Sequence, residues 1–259
     1  MKKSGLFSTV LIIIALIVSA LIYYLWFGNP AYFKDPETKN TPANLLGAAY
    51  KGGPVLIFLL TVSFMVITYA VERGLSLAKA KGKGNIEPFL KNIQLALRDG
   101  NIEEAIALCD KQKGSIANII KQGLERYQLL AAEKNMNAEE KLMDVRNAIE
   151  EAMGLELPLL NTNLSALATL ASVSVLIGLL GTVVGMIRAF QALATAGTPN
   201  AAELSAGISE ALFNTAFGLF GAIIGTIFYN FYLTKVGKIT YMIDEATYNI
   251  LALIALKDK

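Results

Sequence analysis

Residues 207–231 read GISEALFNTAFGLFGAIIGTIFYNF, an apolar run long enough for lipid that holds one carboxylate, Glu210. Asn214 follows one helical turn on, and Thr215 lies roughly 140° away from Glu210 on the same helical wheel. An acid in hydrocarbon costs about 3 kcal/mol on insertion scales, so Glu210 belongs in a protein interior or a wet cavity. It lies about 9 Å into its run, where a solvated place at the outer interface is the bland alternative, and Asn214 favours a polar lumen. No basic residue within the apolar runs is placed to pair with it. One acid and a few hydroxyls cannot carry protons across a bilayer from a single copy. Either several copies line a pore, or a partner brings a second titratable group.

Other chemistry is thinly supplied. There is no histidine, which removes imidazole acid–base catalysis, Ser-His and Cys-His pairs and the commonest metal ligand. No CxxC, HExxH, Walker A or GxGxxG pattern occurs. No aspartate lies in an apolar run, which disfavours an intramembrane aspartyl protease. The expectation is a protein that is not an enzyme and holds no metal or cofactor. The one cysteine, Cys109, excludes an intrachain disulfide and reads as a small core residue.

The chain is 54% hydrophobic and 17% charged, against about 25% charged in soluble domains, so it is a membrane protein with a smaller soluble part. Four apolar runs, 6–27, 54–71, 164–187 and 204–233, can each cross a bilayer. The first follows MKKSG and ends in YYLWFGNP, an aromatic cluster suited to a membrane interface, which favours a retained helix over a cleaved signal. Lysine and arginine near the ends set the orientation. Lys2, Lys3, Arg73, Lys79, Lys81, Lys83, Lys235 and Lys238 belong inside, with 28–51 and the uncharged-to-acidic loop TAGTPNAAE outside. Both termini are then cytoplasmic. Only Arg188 disobeys, and its long side chain can snorkel, with Glu203 as a candidate partner.

Residues 74–160 read as helices. Asp99-Gly100 is a turn, and Asn101 with Glu104, then Asn137 with Glu140, resemble capping boxes. Lys111, Lys113 and Lys121 read as a solvated face. Pro158 should kink or divide the helix that leads into the third run. After the fourth run, Ile239, Met242, Ile243, Ala246, Ile250 and Leu253 form one apolar stripe, so that helix should extend far beyond the lipid. The expected organisation is an extra N-terminal span and external segment (1–51), a second span (52–73), a helical cytoplasmic domain (74–160), two pore-type spans (161–235) and a C-terminal helix (236–259). On the third run Ala171, Ser174, Gly178, Thr182 and Gly185 share a narrow arc beside Gly181. On the fourth, Glu210, Asn214, Phe217, Gly221 and Gly225 cluster. Gly178, Gly181, Gly185, Gly221 and Gly225 are therefore the expected sites of close helix approach.

SVLIGLLGTVVGMIRAF and AGISEALFNTAFGLFGAIIGTIFYNF together resemble the proton-channel family of ExbB, TolQ and MotA. That family carries GLxGTVxGM and then I-x-E-A-L-x-x-T-A-x-G-L, in this order and separation. The resemblance is strong over 140–255, holds in layout only at 54–71, and leaves 1–50 uncovered. The SEAL acid favours the ExbB or TolQ branch over MotA. A proline common before GLxGT is missing, which implies a straighter helix there. The resemblance implies an all-α membrane protein forming a homopentameric ring with a central pore. It places Thr182, Glu210 and Thr215 on the proton path, beside Asn214. It also implies two copies of an ExbD- or TolR-like single-span subunit whose membrane aspartate carries the proton, and a TonB- or TolA-like protein that receives the work. The expected setting is a bacterial inner membrane. An ExbB-like role in outer-membrane uptake driven by the proton motive force comes first, with a TolQ-like role in envelope integrity or a motility stator as alternatives.

Overall fold

The structure is a computed structural model that describes residues 2–37, 39, 41–131, 136–195 and 201–257. The middle of the loop read as external, 196–200, and the side chains of Lys2 and Lys3 lie outside the described residues. Every long element is a helix. These are α1 (Lys2–Leu21), continued by a wide π-helical turn (Ile22–Phe27), α2 (Leu45–Tyr50), α3 (Val55–Ala80), α4 (Ile86–Arg98), α5 (Ile102–Gln112), α6 (Ser115–Ala131), α7 (Ala138–Asn161), α8 (Leu164–Thr195) and α9 (Ala201–Lys257). Among the described residues the extended pairing is one isolated bridge, Phe33 with Pro42. Four helical stretches are long and apolar enough to cross a membrane: Thr9–Phe27, Val55–Ala80, Ala138–Ala194 and Ala201–Leu256. The protein is a multi-pass, all-helical membrane protein.

The chain divides into two compact units, Met1–Val71 with Ser165–Tyr229, and Glu72–Leu164 with Asn230–Lys259. In the first, α1 joins α3 through aromatic residues. Tyr23 stacks on Tyr50 with ring centroids 4.8 Å apart and donates its hydroxyl to Tyr50 O at 3.0 Å. Phe27, Leu56, Leu59 and Leu60 complete the cluster, with Ile177, Phe213 and Phe217 of α8 and α9 against it. The YYLWFGNP cluster is thus divided: Tyr24, Leu25 and Trp26 face outward, while Tyr23 and Phe27 are buried. Between them, side-chain caps pin described parts of the connection, Asn29 Oδ1 accepting from Ala31 N–H and Asn44 Oδ1 from Gly47 N–H.

The second unit follows the rules of a water-soluble bundle. Ile93, Ile119, Ile120, Leu124, Ile149, Ile243 and Ile250 are fully buried. Helix α6 comes so close to α7 at Gly123 that a Cβ there would meet Ile149 Cγ1 at 2.5 Å. The C-terminal stripe lies as read at Ile239, Ile243, Ala246 and Ile250, all buried. Met242 and Leu253 are half-buried, and Ile254 is buried beside Leu253.

The caps are as expected in one case and half so in the other. Asn137 and Glu140 make the reciprocal box, at 2.8 and 3.1 Å. Asn101 Oδ1 accepts from Glu104 N–H, but the Glu104 carboxylate takes the Asn101 side-chain amide instead of its backbone N–H. The reason is that Asn101 N–H already donates to Ala96 O, closing the turn at Gly100. The break before α8 is also displaced. Pro158 lies inside α7, and the chain turns one helical turn later, at Thr162 (ψ 140°) and Asn163 (φ +61°). Asparagine tolerates that left-handed geometry. Its side chain is held by Glu72, whose carboxylate also takes the buried Arg73 guanidinium at 2.7 and 2.9 Å.

Candidate functional site

Helices α8 and α9 meet through residues with almost no side chain. Gly178 faces Gly218, Gly185 faces Ala211, Ala189 faces Gly207 and Ala171 faces Gly225, one constant antiparallel register. A Cβ on Gly185 would come within 2.8 Å of backbone on α9, and one on Gly178 within 3.1 Å. Gly221 lies against Ser174 and Ser63. Gly181 has a different neighbour: a Cβ there would collide with the Asn214 side chain, so the glycine makes room for the amide. Backbone approach this close gives membrane helices the dispersion contacts that apolar bulk alone cannot supply against lipid.

The same register sets Arg188 beside Glu210. Arg188 donates to Glu210 Oε1 at 2.6 Å, closing a sequence separation of 22 residues. The carboxylate is buried, at 7% side-chain exposure, whereas the guanidinium is half exposed at 49%. This corrects the expectation that no basic residue pairs with the acid and that Arg188 points to Glu203. The sequence signal was available: Arg188 is the sole lysine or arginine in 164–233, and the small-residue pairs fix the register that delivers it.

The 52–53 peptide, which the sequence did not announce, and Asn214, which it did, complete the surroundings of the acid. Gly53, just before α3, has φ +70°, and a Cβ on it would collide with Glu210 Oε1. Asn214 donates its amide to Gly52 O at 2.9 Å, while its buried Oδ1 has no partner among the described residues. One turn deeper Ser174 donates to Gly218 O at 2.9 Å. The structure therefore brings Glu210 and Asn214 together, with Arg188 and the 52–53 peptide, within the single chain. Thr182 and Thr215 are not part of that cluster. Both are half-buried, and their hydroxyls donate to their own helices, to Leu179 O at 2.6 Å and Ala211 O at 3.3 Å.

The MotA/TolQ/ExbB proton channel family matches residues 111–245, a little over half of the chain, with all of α8 and α9 as far as residue 245. The chain belongs to that family. Among its relatives, the biopolymer transport protein ExbB of Pseudomonas putida is 26% identical over 203 residues, covering 78% of this chain and 59% of that protein. The Tol-Pal system protein TolQ of Pseudomonas aeruginosa is 35% identical over 115 residues, 44% of this chain and 50% of TolQ. The ExbB of Neisseria meningitidis is 28% identical over 208 residues, 77% of this chain and 91% of its own. The chain thus spans between half and three-fifths of the first two relatives. MotA/TolQ/ExbB members under both the ExbB and TolQ names match, and the relatives are transport or Tol-Pal proteins by name.

Proposed function

We propose that the chain is the ring-forming subunit of an inner-membrane motor of the ExbB kind, with both termini in the cytoplasm. In this reading five copies surround two single-span helices of an ExbD-like partner. Thr182 and Thr215 face the shared pore, and Glu210 and Asn214 stand behind them as its charged and polar wall. Protons enter from outside, neutralise a membrane aspartate of the partner and leave inside, each worth about 2.3 kcal/mol per 100 mV of potential. Neutralisation lets the partner helix move past an apolar ring, and re-ionisation holds it against polar groups, a two-state element biased by protonation. The work passes to a TonB-like protein for outer-membrane uptake. A TolQ-like duty in envelope integrity is the second reading, supported by the TolQ relative. A motility stator is the third.

The observation that carries the proposal is the buried Glu210–Asn214 cluster inside the family-matched helix pair, an acid kept in an otherwise apolar region with a designated counter-charge. Native mass spectrometry of the tagged 27.9 kDa chain, extracted gently from its host membrane, tests it. Five copies with two of a small single-span protein support the motor, and the identity of the small protein separates uptake from envelope duty. A monomer or dimer without such a partner, through extraction controls, overturns it.

A further inference from the structure

The second unit contains a cavity of about 530 Å³ unrelated to Glu210. It is lined by Ser76, Lys79 and Lys83 at the end of α3 and the loop after it, by Lys113 and Ser115 at the start of α6, and by Leu159 and Leu160 of α7. The three lysines have no ion-pair partner among the described residues. Lys113, read as solvated with Lys111 and Lys121, thus differs from Lys121, which pairs with Asp110 at 2.6 Å. Glu156 is the one carboxylate at the cavity, and it accepts from Asn118 Nδ2 at 2.9 Å.

The start of α6 is open in a way that a helix start ordinarily is not. The residue before it is Gly114, which has no side chain to cap the helix, and the first helical bond runs from Asn118 N–H to Gly114 O. The N–H groups of Ser115, Ile116 and Ala117 find no acceptor among the described residues. Ser115 itself is 5% exposed, lines the cavity, and its hydroxyl has no hydrogen-bond partner among the described residues. A 17-residue helix places partial positive charge at this end. The α6 amides, a hydroxyl without a partner and three lysines without ion pairs line one space. Together they are the donor set for a phosphate group, an acceptor with no hydrogen to give.

We propose that this cavity binds a phosphate group, its oxygens taken by the α6 amides and Ser115 Oγ and its charge met by Lys79, Lys83 and Lys113. The cavity opens where membrane-crossing α3 ends, and Leu159 and Leu160 give it an apolar wall. Those features suit the headgroup of an acidic phospholipid, and free phosphate or a soluble phosphate ester presents the same oxygens. The proposal stands apart from the pore reading, and either can fail alone.

The test is native mass spectrometry of the full chain in neutral detergent, with phosphatidylglycerol and phosphatidylcholine as probes and inorganic phosphate as competitor. Wild type should retain phosphatidylglycerol over phosphatidylcholine. The triple variant Lys79→Gln/Lys83→Gln/Lys113→Gln should lose that retention by about tenfold. A control triple with the same charge change outside the cavity, Lys91→Gln/Lys111→Gln/Lys141→Gln, should keep it, and Ser115→Ala should weaken it with the fold intact. Displacement by inorganic phosphate supports the site and points to a soluble source; resistance to it supports the site as a lipid clasp. Equal losses in the two triples, or no preference of wild type for phosphatidylglycerol together with no phosphate binding, would overturn the site.

Discussion

The two units of this protein are both helical, yet they are held together by opposite residue types. In the second unit isoleucine and leucine are inside, as water drives them to be. In the first, α8 turns Leu176, Leu179, Leu180, Val183 and Ile187 outward and keeps Ala171, Ser174, Gly178, Gly181 and Ala189 within. Lipid is as apolar as leucine, so burying leucine gains little there, and close approach of backbones becomes the organising term. Polar groups follow the same inversion. Charges in the second unit mostly cap helices or pair at the surface, with the buried Arg73 held by Glu72 as the exception, whereas Glu210 and Asn214 are central to the first.

The sharpest way to break this comparison is to exchange the residue types. Gly181→Leu should abolish the α8–α9 contact, because the new side chain occupies the space of Asn214. The expected outcome is loss of a monodisperse particle in size-exclusion chromatography and of any ring in native mass spectrometry. Ile149→Ala in the second unit should instead leave the particle intact and lower its stability by about 2–5 kcal/mol, the ordinary cost of an aliphatic cavity. A Gly181→Leu protein that assembles normally would contradict the close-approach reading.

A smaller effect sharpens the polar half of the comparison. Arg188→Ala leaves a buried carboxylate without its donor, at a cost of about 1–3 kcal/mol. Glu210→Ala leaves a half-exposed guanidinium that can turn to solvent, so it should cost less stability. Under the proposed function Glu210→Ala still assembles but loses energy transfer. Thermal unfolding of the two variants beside an uptake assay separates the roles. If Glu210→Ala fails to assemble, the acid serves packing, not the motor.

How much of this was legible differs between the units for the same physical reason. The C-terminal stripe, the Asn137 box and the turn at Gly100 could be read because amphipathic helices and caps leave local patterns. The glycines of α8 and α9 could be seen as contact faces, but their pairing needs two helices aligned against each other. That register alone reveals Arg188 beside Glu210, so a reading along one helix sent the arginine outward to snorkel. Residues 28–53 show no periodicity, and nothing local announces that Gly53 closes over the acid. Pro158 misled because the chain turns where Asn163 can adopt positive φ, not where proline removes one helical bond.

Helix caps give a milder test of the second unit. Asn137→Ala removes the Oδ1 that accepts from Glu140 N–H, keeps the backbone N–H bond to the Glu140 carboxylate, and should cost about 1 kcal/mol. Asn101→Ala should cost at least as much, since it removes two side-chain bonds, Oδ1 with Glu104 N–H and Nδ2 with the Glu104 carboxylate. A clearly larger loss for Asn137→Ala, measured by thermal unfolding of both variants, would show instead that the reciprocal geometry strengthens its cap bond.

The smallest effect is an absence of reaction. Cys109 is 2% exposed in the core of the second unit, and burial pushes its thiol up to about 12, with Asp110 adding to the shift. The thiolate is the form that alkylates. In the unfolded chain, raising the pH from 8 to 10 passes through the ordinary thiol range and should speed alkylation severalfold. In the folded chain the thiol stays protonated across that interval, so iodoacetamide labelling followed by mass spectrometry should be slow and nearly flat with pH. Labelling of the native protein that rises with pH as steeply as the unfolded control would mean that this core opens readily. The contrast between a water-driven, well-sealed second unit and a lipid-adapted first unit would then lose its clearest marker.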